Sequence, residues 1–185
     1  MSREALPSTS FVTFSCNGRN HWLSSPRVRD RIASAFGSAT GGGVVELHAW
    51  VVMSNHIHVL ATDGRSSVAA WLSAFRRDFA LADRDAIRGE LPAPAQRGQF
   101  WLRGGGHHRS IWSWQEYWQK VRYIHANPVR AGLCACPTEW RWSSALEYGG
   151  TPRLDMPRIS DPPEGLTDLL WRQRTPDPFG VDRRP

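Results

Sequence analysis

At 185 residues, with 41% hydrophobic and 22% charged side chains, the chain has the makings of one domain with its own core and is neither disordered nor fibrous. No run approaches the about 18 apolar residues of a membrane-spanning helix, and MSREALPSTS lacks the apolar core of a secretion signal, so the expectation is a cytoplasmic protein with no membrane partner. The net charge of +6 is uneven, because residues 1–150 hold 17 basic and 11 acidic side chains whereas residues 151–185 hold six of each.

Of the 23 basic residues only Lys120 is lysine, and there are ten tryptophans. Arginine forks grip phosphate and aromatic rings stack on bases, so the composition fits a single-strand nucleic-acid surface. Burial of the tryptophans in a core accounts for it equally well. Cys134 and Cys136 are too close for an ordinary disulfide, and no C-x-x-C pair exists, so all three cysteines read as reduced.

In chain order, FVTFSCNG (11–18) reads as a strand from its β-branched and aromatic residues. Val28, Ile32, Ala35 and Phe36 recur at helical spacing, and GSATGGG ends that helix. VVELHAWVV (44–52) is a second strand, MSN a tight turn, and HIHVLAT (56–62) a third strand. Ser66 and Ser67 can cap a long helix with the stripe Val68, Trp71, Leu72, Phe75 and Phe79, broken by LPAPAQRGQ. QFWLR (99–103) is the candidate fourth strand. Ser113 and Glu116 form a capping box that starts a helix, which is expected to stop at Asn127 before Pro128. This order predicts an α+β fold, a ferredoxin-like, RRM-like split βαβ antiparallel sheet with helices packed on one face. The domain is expected over 1–149, with a Pro/Gly-rich tail over 150–185 in which LTDLLWRQ can form a short helix.

In HIHVLAT, side-chain alternation puts His56, His58 and Leu60 on one strand face. Two imidazoles two residues apart can share one cation and leave it open to substrate. The alternative is that each satisfies a hydrogen bond at a sheet edge. Leu60 stands where a histidine-triad hydrolase needs a third histidine. On the helix from 114, Gln119, Tyr123 and Asn127 form a polar ridge four residues apart, so Tyr123 and Asn127 can address one site. Arg77, Arg84 and Arg88 share a helix face at spacings of seven and four, which either tracks a phosphate backbone or is a solvated face. RGGGHHRS (103–110) either brings Arg103 and Arg109 to phosphates or is a flexible turn.

HAWVVMSNHIHVLA, FW, YIHANPVRAGL and EWRWSSA, in this order over roughly residues 10–148, resemble the single-tyrosine HUH transposases, most closely the REP-associated tyrosine transposases. The resemblance implies that His56 and His58 hold a divalent metal ion, Mg²⁺ or Mn²⁺, with Asn127 as a third metal-facing group. It implies that Tyr123 is the nucleophile of a site-specific single-stranded DNA endonuclease and strand transferase. Such an enzyme, a monomer or a homodimer, acts beside imperfect hairpins through a 5′-phosphotyrosine. Arg77, Arg84, Arg88, Arg103, Arg109 and Lys120 are the candidate DNA contacts. The rival readings are a hairpin-binding protein that does not cut and a phosphodiesterase that uses water. Relatives often carry proline where Ser54 stands, and GGGHH departs from the pattern.

Overall fold

The computed structural model describes residues 8–104, 106–151, 155–163, 166, 178 and 179. Four antiparallel strands, β1 (Thr9–Ser15), β2 (Val45–Val52), β3 (His56–Asp63) and β4 (His107–Ile111), lie in the order β2-β3-β1-β4. With α1 (Pro26–Thr40) between β1 and β2 and α2 (Val68–Asp78) between β3 and β4, this is the expected split βαβ arrangement.

The helices, however, cover both faces. Val12, Phe14, Ile57, Val59 and Ala61 share one core with Val28, Ile32 and Phe36 of α1 and Val68, Trp71, Leu72 and Phe75 of α2. Phe11, Ala49, Val51, Leu60 and Ile111 share a second core with Trp114, Tyr117, Trp118, Val121 and Ile124 of a later helix, α5 (Trp114–Arg130). The expectation of helices on one face holds for the split βαβ unit alone. The strand face that carries the two histidines is apolar over most of its length, and α5 buries it.

Local sequence explains most of the elements. Pro26 opens α1 with its φ already set, and Gly41–Gly43 end it, Gly42 at φ 67°. Ser67 caps α2 by accepting the Ala70 N–H at 3.2 Å. Phe79 is fully buried, and the helix widens over Phe79–Asp83 before the single turn α3 (Arg84–Ala86). Part of LPAPAQRGQ, taken as a breaker, forms the short helix α4 (Ala93–Arg97), since prolines at the first turn cost no hydrogen bond.

QFWLR is not the fourth strand. Phe100 and Trp101 turn into the α1–α2 core, and the segment contributes one isolated bridge, Cys16 to Trp101. The fourth strand is HHRSI, within the segment otherwise read as a flexible turn. Gly106 is what lets it dock: its φ is 85°, and a Cβ there would stand 2.1 Å from the Thr13 carbonyl oxygen. Gly106→Ala is expected to destabilise the fold by about 1–3 kcal/mol, measured by thermal unfolding.

α5 starts as expected, with the Ser113 hydroxyl accepting the Glu116 N–H at 3.2 Å. Glu116 then bonds the Trp112 N–H rather than the cap residue's own, and pairs with Arg109 of β4 at 2.6 Å. The helix does not stop at Asn127 but runs to Arg130 with Pro128 inside it. Proline there forfeits one hydrogen bond, and its ring is buried in the last turn of the helix. Gly132, at φ 68°, ends the turn. The short α6 (Ala145–Tyr148) follows.

The outer edge of β2 is sealed by later chain. Trp142 and Ser144 exchange backbone bonds with Val52 and Trp50, and the Ser160 N–H reaches the Leu47 carbonyl at 2.6 Å. Part of the segment assigned to the tail is therefore packed on the domain. The proposed helix LTDLLWRQ falls almost wholly outside the described residues. Seven tryptophans (22, 50, 71, 101, 114, 118 and 140) are buried, so most of the tryptophan content belongs to the core. Among the described residues no helix is long and apolar enough to cross a membrane.

Candidate metal and nucleophile centre

β1 and β3 pair in a register that sets Thr13 beside His58 and Ser15 beside His56, all on the face covered by α5. The β2–β3 turn places His56 at the sheet's end, half-buried, while His58 one pair inward is only 4% exposed. Their Nε2 atoms face each other at 3.1 Å. Two imidazoles bound to one cation at about 2.1 Å hold their nitrogens about 3.0–3.4 Å apart for angles between octahedral and tetrahedral. The pair fits a shared ion.

The outer nitrogens are held as well. Asn55 donates its amide N–H to the Arg19 carbonyl at 3.1 Å, so its Oδ1 must be the atom facing His56 Nδ1 at 2.6 Å. That Nδ1 therefore carries the proton, and His56 Nε2 presents a lone pair. His58 Nδ1 lies 2.6 Å from the Thr13 hydroxyl, a rotor that can donate or accept. When Thr13 donates, His58 Nε2–H bonds His56. When Thr13 accepts, both Nε2 lone pairs point at one spot and a cation can enter. Thr13→Val removes this freedom, and Asn55→Ala unties His56. Each is expected to weaken Mn²⁺ affinity by about 10–100-fold, measured by calorimetry.

Burial holds His58 well below the ordinary imidazole range, at about 3, helped by the charges of His56 and Lys120, while a hydrogen bond with Asn127 works against the shift. His56 is lowered too, first by burial and then by Arg19 and His21. Both imidazoles are thus neutral near pH 7, the state a metal requires. Among the described residues no cluster of three His, Cys, Asp or Glu side chains exists. The third donor within reach is the Asn127 amide. Its nitrogen donates to the Tyr123 carbonyl at 2.6 Å, which leaves its oxygen for the site.

Tyr123 lies across this pocket. Its ring meets His58 edge-on with centroids 5.3 Å apart and Phe11 at 5.8 Å, and at 36% exposure it remains open to a ligand. Phe11 is the common floor, stacked on His58 at 5.5 Å. Lys120 Nζ sits 4.8 Å from the Phe11 ring and 5.7 Å from that of Tyr123, and the Arg130 guanidinium is 5.9 Å from the latter.

Of the expected DNA contacts, the structure brings Lys120 to this pocket and Arg109 to the same sheet face, opposite Phe11 in register. Arg77 rides on α2, Arg84 on α3 and Arg88 on the 3₁₀ turn that follows it (Arg88–Glu90), away from this pocket. There Arg77 pairs with Asp78, Arg84 bonds the Gly98 carbonyl and Arg88 pairs with Asp85. Arg103 bonds Gln99. Four basic groups near the pocket were not among the expected site residues: Arg19 and His21, on the loop after β1, Arg130, near the Tyr123 ring, and His107, paired with Thr13 across β1–β4 and 6.4 Å from the Phe11 ring. Only correct placement of β4 at HHRSI would have found His107.

No protein-family model and no curated protein matches the chain. Among solved structures, a REP-associated tyrosine transposase bound to a REP hairpin is similar with a TM-score of 0.61, covering 92% of this chain and 98% of that one at 17% sequence identity. The chain therefore has the fold of a REP-associated tyrosine transposase over nearly its whole length.

Proposed function

We propose that this chain is a single-tyrosine HUH enzyme of the REP-associated kind, which nicks and rejoins single-stranded DNA beside an imperfect hairpin in the cytoplasm, using Mg²⁺ or Mn²⁺. The observation that carries this reading is Tyr123 lying edge-on against His58, at 5.3 Å, above two histidines whose Nε2 atoms converge at 3.1 Å. The fold shared with a transposase solved on a REP hairpin supports it.

His56, His58 and Asn127 would hold a divalent ion, which when bound would supply Lewis-acid polarisation of the scissile phosphate. Tyr123 Oη attacks phosphorus. The tyrosyl ester forms as the bond to the 3′ oxygen breaks, the phenolic proton passes to solvent, and the departing oxygen is protonated to a 3′ hydroxyl. The ester conserves bond energy for rejoining. Lys120 places a positive charge beside the attacked phosphate, and Phe11 and His58 hold the phenol in its attack position. Lys120 and Arg109 are the cations we assign to the DNA strand.

The test is incubation of the protein with hairpins bearing unpaired arms, in Mn²⁺, followed by denaturing electrophoresis. The expected product is a protein–DNA adduct, abolished by chelator and mapping to the peptide that holds Tyr123. Cleavage without an adduct would assign the attack to water. Tight hairpin binding with neither would make this a binding protein.

A further inference from the structure

We propose that the cation pocket and a DNA phosphodiester fill together, each completing the other, because every donor beneath the cation is neutral and the charged groups around it are positive. The inference rests on single-stranded DNA being the substrate.

The donors are two imidazoles and one amide, and no carboxylate joins them among the described residues. Arg19 stands on the loop after β1, close enough for its charge to act on His56. Lys120 acts in the same way on His58, and Arg130 stands over Tyr123. None of Arg19, Lys120 and Arg130 is in an ion pair among the described residues. The one acidic residue of α5, Glu116, is committed to Arg109 at the helix start.

The Arg19 position is built rather than incidental. Arg19 is the one non-glycine described residue with positive φ, at 53°. Its carbonyl receives the same Asn55 amide that fixes the His56 proton. Backbone bonds from Cys16 to Asn55 and from Leu23 to Ser54 clamp this loop to the β2–β3 turn. A strained residue held by the group that orients a metal ligand ties the cationic rim to the pocket it surrounds.

A bare Mn²⁺ entering this pocket gains neutral donors and meets uncompensated positive charge. A phosphodiester supplies the missing negative charge and hard oxygen ligands. Conversely, the rim attracts the phosphate more strongly once the ion adds two further charges. Linkage then requires each ligand to tighten the other by the same factor.

The test uses the full chain carrying Tyr123→Phe, which keeps the DNA intact. Mn²⁺ binding is read from the free-ion paramagnetic resonance signal, with and without a saturating hairpin oligonucleotide. Oligonucleotide affinity is read by fluorescence anisotropy, with Mn²⁺ and with chelator. The expected gain is at least about tenfold and equal in both directions. Arg19→Glu, and independently Arg130→Glu on the exposed helix surface, should tighten Mn²⁺ binding by the DNA-free protein and shrink the gain from DNA. A methylphosphonate at the cut position should also lose the gain.

Mn²⁺ affinity that is unchanged by a bound oligonucleotide overturns the coupling and leaves the DNA reading intact. So does weaker Mn²⁺ binding by both charge-reversed variants in the absence of DNA. An oligonucleotide that binds under no condition overturns the DNA reading, and the coupling with it.

Discussion

Tyr123→Phe is expected to eliminate the covalent adduct and to lower strand cleavage by at least about 10³-fold, while hairpin affinity and thermal stability stay near those of the parent. The substitution removes one oxygen and keeps the ring. It is the ring that meets His58 at 5.3 Å and Phe11 at 5.8 Å, so packing at this position survives. Tyr123 is 36% exposed, and a change at such a site costs within about 0.5 kcal/mol. Adduct yield, cleavage rate, hairpin affinity and melting temperature, measured on one preparation, separate chemistry from structure. A variant that still cuts at the parental rate would remove Tyr123 from the reaction. One that loses hairpin binding as well would make the residue part of the DNA surface.

The second large effect is on stability against acid. His48 and His125 are fully buried, and burial lowers each to about 4 against an ordinary value of 6.5. His48 Nε2 bonds the Thr62 hydroxyl at 2.8 Å, and His125 Nε2 bonds the Ser144 hydroxyl at 2.9 Å. Their outer nitrogens reach the carbonyls of Ser160 and Pro178 in the C-terminal segment. A histidine depressed by folding binds its proton more readily in the unfolded chain. Its contribution is whole above pH 6.5 and is lost as the pH falls towards 4. Each is worth on the order of 3 kcal/mol over that interval. The melting temperature should therefore hold above pH 6.5 and fall steeply between 6 and 4. Replacing His125 with glutamine should flatten part of that slope. A melting temperature level down to pH 4 would show that neither group is depressed.

Much of the fold was legible because the chain's patterns are local. The stripe from Val68 to Phe79, the Ser113 cap and the alternation in HIHVLAT each answer to contacts within one element, and each is found as read. What escaped depends on distant partners. HHRSI is polar and glycine-flanked, and it becomes a strand because Gly106 can pass against the Thr13 carbonyl, nearly a hundred residues away. Pro128, four residues on from Ile124, falls on the apolar stripe of α5 and stays helical with its ring buried, so the local rule that a residue before proline leaves the helix gave way to the stripe. At the site, His56, His58, Tyr123 and Asn127 were readable as two motifs that tertiary structure brings together. The tautomer relay through Asn55 and Thr13 was not readable, nor was the rim of Arg19, His21 and Arg130, since each is fixed by register or by a turn. Arg77, Arg84 and Arg88 illustrate the opposite error, in which a regular helical spacing of charge says nothing about which side of a sheet the helix will cover.

The extra residue in β2 breaks the pairing of the strand at one place. Leu47 sits across from Ala61 and Ala49 across from Leu60, so His48 has no partner and the strand changes parity there. Beyond it Trp50 and Val52 turn to the α1–α2 side, leaving Ala49 and Val51 beneath α5. Removing His48 would leave a regular strand with Trp50 still opposite Val59, so the extra residue is not needed to aim the side chains that bed α5. What it adds is a buried imidazole at the middle of the strand, bonded to Thr62 of β3 on one side and to the Ser160 carbonyl of the later chain on the other. The irregularity thereby fastens the C-terminal segment to the sheet edge that the segment seals, and ties that fastening to the charge state of one histidine.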